Sequence, residues 1–471
     1  STQECKMPSR KMRLERDSMG ELEVPAKAYY GGNTRRAELN FPISNLRLGR
    51  SFIKAIGQIK QAAAFVNLDL GAIEPDIAQA IIDSSQRVIE GEFDDQFVVD
   101  VFQTGSGTST NMNANEVISN VAIESLGGTL GSRTPVHPND HVNKGQSSND
   151  VFPSTIHLAA AGAIKDDLMP ALQELEDSLR TKSQEFWEIV KTGRTHLQDA
   201  TPIRLGQEFL GYAGQLELGR KRAEKALGEL SVLGLGGTAV GSGIGMHPQF
   251  SRRVITRLAE LTGLDLSETT NHFQAQSTLD AVVSASGELK SIAVGMLKIA
   301  NDLRWLGSGP RAGIGEIMLP EVQPGSSIMP GKVNPVIPES VTMVSAQVIG
   351  NDTTIAIAGQ SGNFELNVMM PVAAHNILES IELLATSAKN LARQCINGLT
   401  ATDKGPEMVM EGLAICTALA PIIGYDAAAS IAHEASKNGE TIKEVAMRVT
   451  DLNSTQLDEI LEPLSMTEPN E

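Results

Sequence analysis

Cysteine and aromatic residues are scarce in this chain of 471 residues, which has three cysteines and only 4% Phe, Trp and Tyr. Cys5, Cys395 and Cys416 lie far apart and form no CxxC pair, so we expect neither a disulfide framework nor a structural zinc site. A reducing cytoplasm is the natural compartment, and a chain processed in the mitochondrial matrix would look much the same. The shortage of aromatics argues against a β-sandwich and favours close-packed helices.

Excess positive charge is also lacking, because 39 Lys and Arg stand against 57 Asp and Glu and leave a formal net charge of −18. Such an acidic balance argues against nucleic acid or an anionic membrane as a partner. The apolar stretch 412–425 is shorter than the roughly 20 residues of a membrane-spanning helix and contains Pro421. The glycines of TGSGTSTN do not form GxGxxG, and the chain contains no P-loop motif, so a nucleotide site is poorly supported.

Helical periodicity is what the chain has in abundance, mainly from residue 150 to residue 396. One leucine seam recurs at intervals of 4, 3 and 4 residues: Leu168, Leu172, Leu175 and Leu179. Similar spacing appears over 205–216 and 289–303, and two more helical segments, 336–358 and 371–396, begin near prolines. Long helices with alanine and glycine on every face are typical of an elongated bundle that oligomerisation buries further.

The fold class predicted from these patterns is all-α, with three mostly helical domains. The boundaries that we expect are 1–146 for an N-terminal domain, 147–400 for the central long-helix bundle and 401–471 for a small C-terminal domain. The chain shows no strong signal for a β-hairpin or a βαβ unit.

Four polar stretches interrupt the helical pattern, at residues 104–116, 137–150, 193–202 and 325–335. Each precedes a segment that we predict to be helical, where backbone N–H groups and hydroxyls can bind carboxylates. Helix capping alone is the alternative, because Ser, Thr, Asn and Asp are the preferred caps. Four such stretches in one chain favour a shared anion pocket.

The last of these stretches, GSSIMPGKVNP, is called the signature loop below. Its two glycines, two prolines and two serines surround Lys332 and specify a tightly turned backbone. Among the histidines, His196 stands out because Thr195, Gln198 and Asp199 flank it, and imidazole is the best general acid or base near pH 7. His137 and His141 are four residues apart, but a turn separates them and no carboxylate cluster adds ligands, so we expect no metal.

Five motifs together resemble the fumarase/aspartase superfamily over essentially the whole chain. In chain order they are SMGELEVPAKAYYG, TGSGTSTNMNANEVI, HPNDHVN with QSSND, GRTHLQDATP and GSSIMPGKVNP. The resemblance is greatest to the class II fumarate hydratases, which are iron-independent hydro-lyases of the tricarboxylic acid cycle. It implies reversible addition of water to fumarate giving L-malate, no cofactor, and a homotetramer formed through the central bundle, with active sites shared between subunits.

The resemblance also implies roles for individual residues. His196 corresponds to a group acting on the water that adds at C2, Ser326 to the base for the C3 proton of malate, and Glu339 to an acid that pairs with the histidine. The implied substrate-binding residues are Ser106, Gly107, Thr108, Ser147, Ser148, Asn149, Thr195, Ser327, Lys332, Val333 and Asn334. A second anion site is implied at His137, Pro138, Asn139 and Asp140.

The chemistry of the signature loop agrees with these roles. Removing a proton from the carbon beside a carboxylate builds a dianionic aci-carboxylate, so donors such as Lys332 and Asn334 must already face that group. A serine is a poor base unless its alkoxide is stabilised, and a turned loop can aim backbone N–H groups at Ser326 to do so.

Two alternatives compete with this interpretation. Aspartate ammonia-lyases share the loop but typically carry glutamine where His196 stands and threonine where Ser148 stands, so both positions favour a hydratase. A non-catalytic crystallin-like protein would not be expected to retain the catalytic set. One departure from the family pattern is Ile244-Gly245, where leucine and asparagine are expected, and it bears on substrate preference.

Overall fold

The structure, a computed structural model, describes residues 11–469. Helices account for 62% of the described residues, which confirms the all-α fold class. The helices of the first half of the chain are α1 (Gly32–Asn40), α2 (Arg50–Asp69), α3 (Pro75–Glu90), α4 (Thr108–Ser125), α5 (Ser148–Ala163), α6 (Met169–Glu185) and α7 (Leu205–Leu230). Those of the second half are α8 (Phe250–Thr262), α9 (His272–Ser277), α10 (Asp280–Leu306), α11 (Val336–Gly359), α12 (Met370–Gln394), α13 (Lys404–Val409), α14 (Ala420–Ile423), α15 (Tyr425–Asn438), α16 (Ile442–Val449) and α17 (Ser454–Ile460).

The described strands are short and form five two-stranded sheets. They are β1 (Met12–Asp17), β2 (Gly20–Pro25), β3 (Val190–Thr195), β4 (Gln198–Arg204), β5 (Val232–Leu233), β6 (Ser267–Glu268), β7 (Ile317–Met318), β8 (Gly362–Asn363), β9 (Leu366–Asn367) and β10 (Thr400–Ala401). β1–β2, β3–β4 and β8–β9 are antiparallel hairpins, β7 pairs with β10, and β5–β6 is parallel.

The five long helices predicted from periodicity are confirmed as α6, α7, α10, α11 and α12. The leucine seam is buried; its first residue, Leu168, ends a π-helical turn (Ile164–Leu168), and the other three lie in α6. The apolar positions predicted to line α10 are buried too. Among residues 11–469, no helix is long and apolar enough to cross a membrane. Cys395 and Cys416 are free thiols, and Cys5 lies outside the described residues.

The chain divides into two compact units. The boundaries of the three predicted domains stay a prediction. The first unit comprises residues 1–169, 221–291 and 346–384. In it α2 packs against α3, α5 and α8, because apolar residues recur along α2 at helical spacing and the faces they form are buried. The rings of Phe52 and Phe152 lie 4.9 Å apart at the contact with α5.

The second unit comprises residues 170–220, 292–345 and 385–471. Its C-terminal part is a set of short helices around a core that includes Leu419, Ile431, Val445 and Leu457. Side-chain caps define where these helices begin, because Thr441 with Glu444 opens α16 and Asn453 with Gln456 opens α17 in capping boxes.

Two hairpins were not expected from the sequence. β1 and β2 are only six residues long each, rich in charged residues, and join through a two-residue turn. The polar stretch 193–202, which we expected to precede a helix as a loop, lies within the β3–β4 hairpin instead. This stretch therefore has no helix N-terminus at which an anion could bind, contrary to what we expected from the sequence.

Candidate active site

The N-terminus of α4 carries the first group of predicted substrate-binding residues. Gly107 is the residue before the helix and has a φ of +72°, a conformation that favours glycine. A Cβ at this position would lie 2.1 Å from the ring of Phe152, so the close approach of α5 also requires glycine. The hydroxyls of Ser106 and Thr108 are hydrogen-bonded at 2.8 Å beside it.

The N-terminus of α5 carries the second group and contacts the first. Ser147 caps the helix by accepting a hydrogen bond from the Asn149 backbone N–H, and Asp150 accepts one from the Ser147 N–H in return. The hydroxyls of Ser148 and Thr108 lie 2.7 Å apart. The structure therefore brings the stretches 106–108 and 147–149 together, and we call them the paired N-termini.

Asp150 is a functional candidate that sequence reasoning did not single out. Its carboxylate is buried and accepts hydrogen bonds from the backbone N–H groups of Gly236 (2.8 Å) and Thr238 (3.1 Å) as well as Ser147. Burial raises the pKa of Asp150 to about 6, although these N–H groups act in the opposite direction. Asp150 ties α5 to the glycine-rich segment 234–245, and the S-x-x-D spacing from Ser147 was the available signal.

The predicted second anion site is a single π-helical turn, Pro138–Val142. His137 Nδ1 accepts hydrogen bonds from the backbone N–H groups of Asn139 and Asp140, both at 3.1 Å. His141 Nδ1 accepts from the His137 N–H at 2.8 Å, and burial lowers the pKa of His141. The Nδ1 atoms of both histidines therefore cap backbone groups. Among residues 11–469, no group of three or more His, Cys, Asp or Glu could hold a metal ion.

His196 lies at the tip of the β3–β4 hairpin. Thr195 pairs with Gln198, so His196 and Leu197 form a two-residue turn with φ values of +55° and +59°. Such turns usually contain Asn-Gly, and each residue with a side chain held in this region costs about 1 kcal/mol or more. The turn leaves Thr195, His196 and Leu197 exposed. Strained backbone residues cluster at functional sites, so the strain at His196 agrees with its predicted catalytic role.

Two basic residues of β3, Lys191 and Arg194, anchor the β3–β4 hairpin through ion pairs. Lys191 of β3 is 1% exposed and pairs with Glu208 (2.6 Å) and Glu316 (3.0 Å), and Arg194 pairs with Glu316 at 2.7 Å. Burial raises the pKa of Glu208, while Lys191 lowers it. These charges were not predicted from the sequence, because nothing in a short polar strand shows that its lysine is buried.

The signature loop is turned on itself around Ser326. The hydroxyl oxygen of Ser326 accepts hydrogen bonds from the backbone N–H groups of Ile328 (3.3 Å) and Met329 (3.0 Å). A Cβ on Gly325 would lie 1.8 Å from the Lys332 carbonyl oxygen, so the loop closes only with glycine there. Ser327, Lys332 and Val333 are exposed. Two N–H groups aimed at one hydroxyl oxygen match the arrangement expected for a serine base.

Asn334 and Glu339 complete the predicted set. Asn334 Nδ2 donates to the Gly325 carbonyl oxygen at 2.5 Å, so one of its two N–H bonds braces the loop. Glu339 is half-buried in the first turn of α11. Within residues 11–469, no hydrogen bond or ion pair joins His196, Ser326 and Glu339, and their pairing stays a prediction.

The chain is similar to known proteins over nearly its full length. Residues 20–350 match the family described as "Lyase", and residues 415–468 match "Fumarase C C-terminus". The chain is 50% identical over 464 residues to "Fumarate hydratase class II" of Methylorubrum extorquens, covering 98% of both proteins. It is 49% identical over 460 residues to the human "Fumarate hydratase, mitochondrial", covering 97% of this chain and 90% of that protein.

Solved structures show the same similarity in three dimensions. A recombinant class II fumarase from Schistosoma mansoni superposes with a TM-score of 0.95 at 38% identity, over 98% of this chain and 100% of that one. A fumarate lyase:delta crystallin from Brucella melitensis, bound to cobalt, superposes with a TM-score of 0.94 at 44% identity, with the same coverage.

Proposed function

The chain belongs to the class II fumarate hydratase family, and we propose on this premise that it catalyses the reversible addition of water to fumarate, giving L-malate. The observation that carries the assignment is the identity of about 50% to relatives of this name over nearly the full length of both chains. His196 and Ser148 separate the chain from the ammonia-lyase alternative. The reaction is a step of the tricarboxylic acid cycle, for which a cytoplasmic location is proposed.

In the direction from malate to fumarate, we assign the first proton transfer to Ser326. Its alkoxide takes the C3 proton, and the electron pair of the C–H bond moves into the adjacent carboxylate to form the aci-carboxylate. The N–H groups of Ile328 and Met329 support this role, because donors to an alkoxide favour the charged form. Lys332 and the free N–H of Asn334 are proposed to bind the substrate carboxylates.

The second proton transfer is assigned to His196. The aci-carboxylate collapses to the C2–C3 double bond, and the C2 hydroxyl leaves as water after taking a proton from the imidazolium of His196, which becomes neutral imidazole. Glu339 is proposed to pair with His196 and orient its ring. In the hydration direction the same groups exchange roles, so His196 takes a proton from the attacking water and the Ser326 hydroxyl protonates C3.

The paired N-termini are proposed to bind the substrate dianion. Two helices of 16 and 18 residues present their N-terminal dipoles there, together with the hydroxyls of Ser106, Thr108 and Ser148. The second anion site at 137–140 is proposed to bind an anion without taking part in the chemistry.

We propose a homotetramer formed through the long helices. Their surfaces expose large apolar side chains, such as Val294 and Trp305 of α10 and Met343 and Ile357 of α11. Contact with other copies of the chain would remove this apolar surface from water. Light scattering should give about four times the chain mass, and an active monomer would contradict the proposal.

The function is tested by following fumarate formation spectrophotometrically from L-malate and from L-aspartate. We expect turnover of malate alone, unchanged by EDTA, because the proposed steps use only side chains of this chain. Turnover of aspartate would identify an ammonia-lyase. Activity lost in EDTA and restored by a divalent ion would overturn the metal-independent mechanism, and no turnover of either substrate would indicate a non-catalytic protein.

A further inference from the structure

Lys60 of α2 is completely buried, with 0% of its surface exposed. Its ammonium group donates three hydrogen bonds, to the side-chain oxygens of Asn111 (2.8 Å), Asn143 (2.9 Å) and Gln146 (2.9 Å). Each of its three protons therefore has an acceptor, and all three acceptors are neutral amides. Burying an ammonium group without a carboxylate in contact is unfavourable, so its presence here calls for a compensating role.

The three acceptors belong to the two stretches that carry the paired N-termini. Asn111 lies in the first turn of α4, three residues after Thr108, and its Nδ2 donates to Asn143 Oδ1 at 3.2 Å. Asn143 and Gln146 lie in the segment that leads to Ser147, the cap of α5. One ammonium group thus fixes both helix starts to α2. The hydroxyls of Thr108 and Ser148, at these two helix starts, lie 2.7 Å apart.

The protonation state of Lys60 and the effect of its positive charge follow from its surroundings. Burial lowers the pKa of Lys60 to about 7, and the nearby carboxylate of Asp150 acts to raise it. Three oxygens that each face an N–H bond also favour the ammonium over the neutral amine. A positive charge away from water acts more strongly on its surroundings than an exposed one, and here it adds to the two helix dipoles.

We propose that Lys60 is a positioning residue of the hydratase: its buried ammonium holds the paired N-termini in register and contributes its charge to binding of the substrate dianion. The inference rests on the proposed function, because it takes the paired N-termini as the substrate-carboxylate site. Lys60 itself has no free proton for substrate, and it acts through Asn111, Asn143 and Gln146.

A purely structural lysine is the alternative, and Asn143→Asp distinguishes the two roles. The aspartate keeps the shape of the side chain and its oxygen for Lys60, but its negative charge offsets that of the ammonium. The one hydrogen bond it gives up is the weak one from Asn143 Nδ2 to the Gln146 carbonyl oxygen at 3.3 Å. If charge at this buried position is not coupled to the substrate site, this variant should bind substrate normally.

The measurement combines malate kinetics with calorimetric binding of succinate, a dicarboxylate that has no hydroxyl to eliminate. For Asn143→Asp we expect the malate KM and the succinate Kd to rise by roughly tenfold, kcat to change by less than about threefold, and Tm to stay within a few degrees. Asn40→Asp, which adds the same charge at an exposed position of α1, is the control and should match the wild type.

Lys60→Met should show the same loss of succinate affinity if it folds, and the aspartate variant decides the question if it does not. Unchanged KM and Kd in Asn143→Asp, or a loss of Tm without a loss of affinity, would overturn the inference. Failure of the wild type to turn over malate would instead reject the proposed function, and succinate binding would still report on Lys60.

Discussion

The paired N-termini and the signature loop are both rich in Gly, Ser and Asn, yet they are built in opposite ways. The paired N-termini depend on buried partners: Gly107 lies against the Phe152 ring, Asp150 accepts hydrogen bonds from three backbone N–H groups, and Lys60 donates three hydrogen bonds to side-chain oxygens. The signature loop is largely exposed and braced by its own backbone, through Ser326, Asn334 and Gly325. The proposed substrate site therefore depends on the buried core of its unit, whereas the proposed base lies on a turn that its own hydrogen bonds hold in shape.

This comparison predicts that changes in the signature loop affect turnover without affecting stability. Ser326→Ala removes the proposed base and should lower kcat by about 10²–10⁴-fold, the range typical of general base catalysis. The malate KM should change much less, because other residues provide the carboxylate contacts. Steady-state kinetics and thermal unfolding of the same preparation measure both quantities. A kcat near that of the wild type would leave the loop with a carboxylate-binding role only.

Changes in the paired N-termini should instead lower the free energy of unfolding. Gly107→Ala places a Cβ 2.1 Å from the Phe152 ring at a positive φ, so α4 or α5 must shift. We expect a loss of about 2–4 kcal/mol in the free energy of unfolding, which overpacking and backbone strain together explain. Urea unfolding measures it, with Gly71→Ala as the control, since that glycine also has a positive φ but an open surrounding. Equal losses in the two variants would show that crowding at Phe152 is unimportant.

Glu116, a buried acid of α4, is expected to make the stability of the protein depend on pH. Burial raises the pKa of Glu116 to about 7 from its ordinary 4.5, although Thr34 and Asn33 donate hydrogen bonds to it. Because the folded pKa is the higher one, the stability that Glu116 contributes is present below about pH 4.5 and is lost as the pH rises through about 7.

Glu116→Gln cannot titrate, so its free energy of unfolding relative to the wild type should rise by about 2 kcal/mol between pH 5 and pH 8. Any constant loss of hydrogen bonds cancels in this difference between two pH values. Denaturant unfolding at both values is the measurement. A difference that does not change with pH would mean that Glu116 is ionised throughout.

The smallest effect is expected at the second anion site. His137→Asn should leave kcat and KM for malate within a few-fold of the wild type, because His137 Nδ1 is occupied by two backbone N–H groups and no proton transfer is assigned to it. Initial rates over a range of malate concentrations measure both quantities. A loss as large as that of Ser326→Ala would place this turn in the chemistry.

The long helices could be predicted from the sequence because their apolar spacing is a property of the chain itself, as in the leucine seam. The capping residues Ser147 and Asp150 also follow a local rule. The β3–β4 hairpin could not be predicted in this way, because its turn is His-Leu rather than Asn-Gly. Lys60, Glu116 and Lys191 were missed for another reason: a charged residue is buried by elements distant in sequence, which no local pattern reveals.

Ser326 and His196 are assigned to opposite ends of one elimination, and pH–rate profiles with malate test this assignment most directly. His196→Asn should lower kcat and abolish the limb of the profile near neutral pH, because it removes the imidazole to which the proton transfer at the C2 oxygen is assigned. Ser326→Ala should lower kcat at every pH and retain that limb. A neutral limb that survives in His196→Asn, or disappears in Ser326→Ala, would contradict the assignment of the two proton transfers.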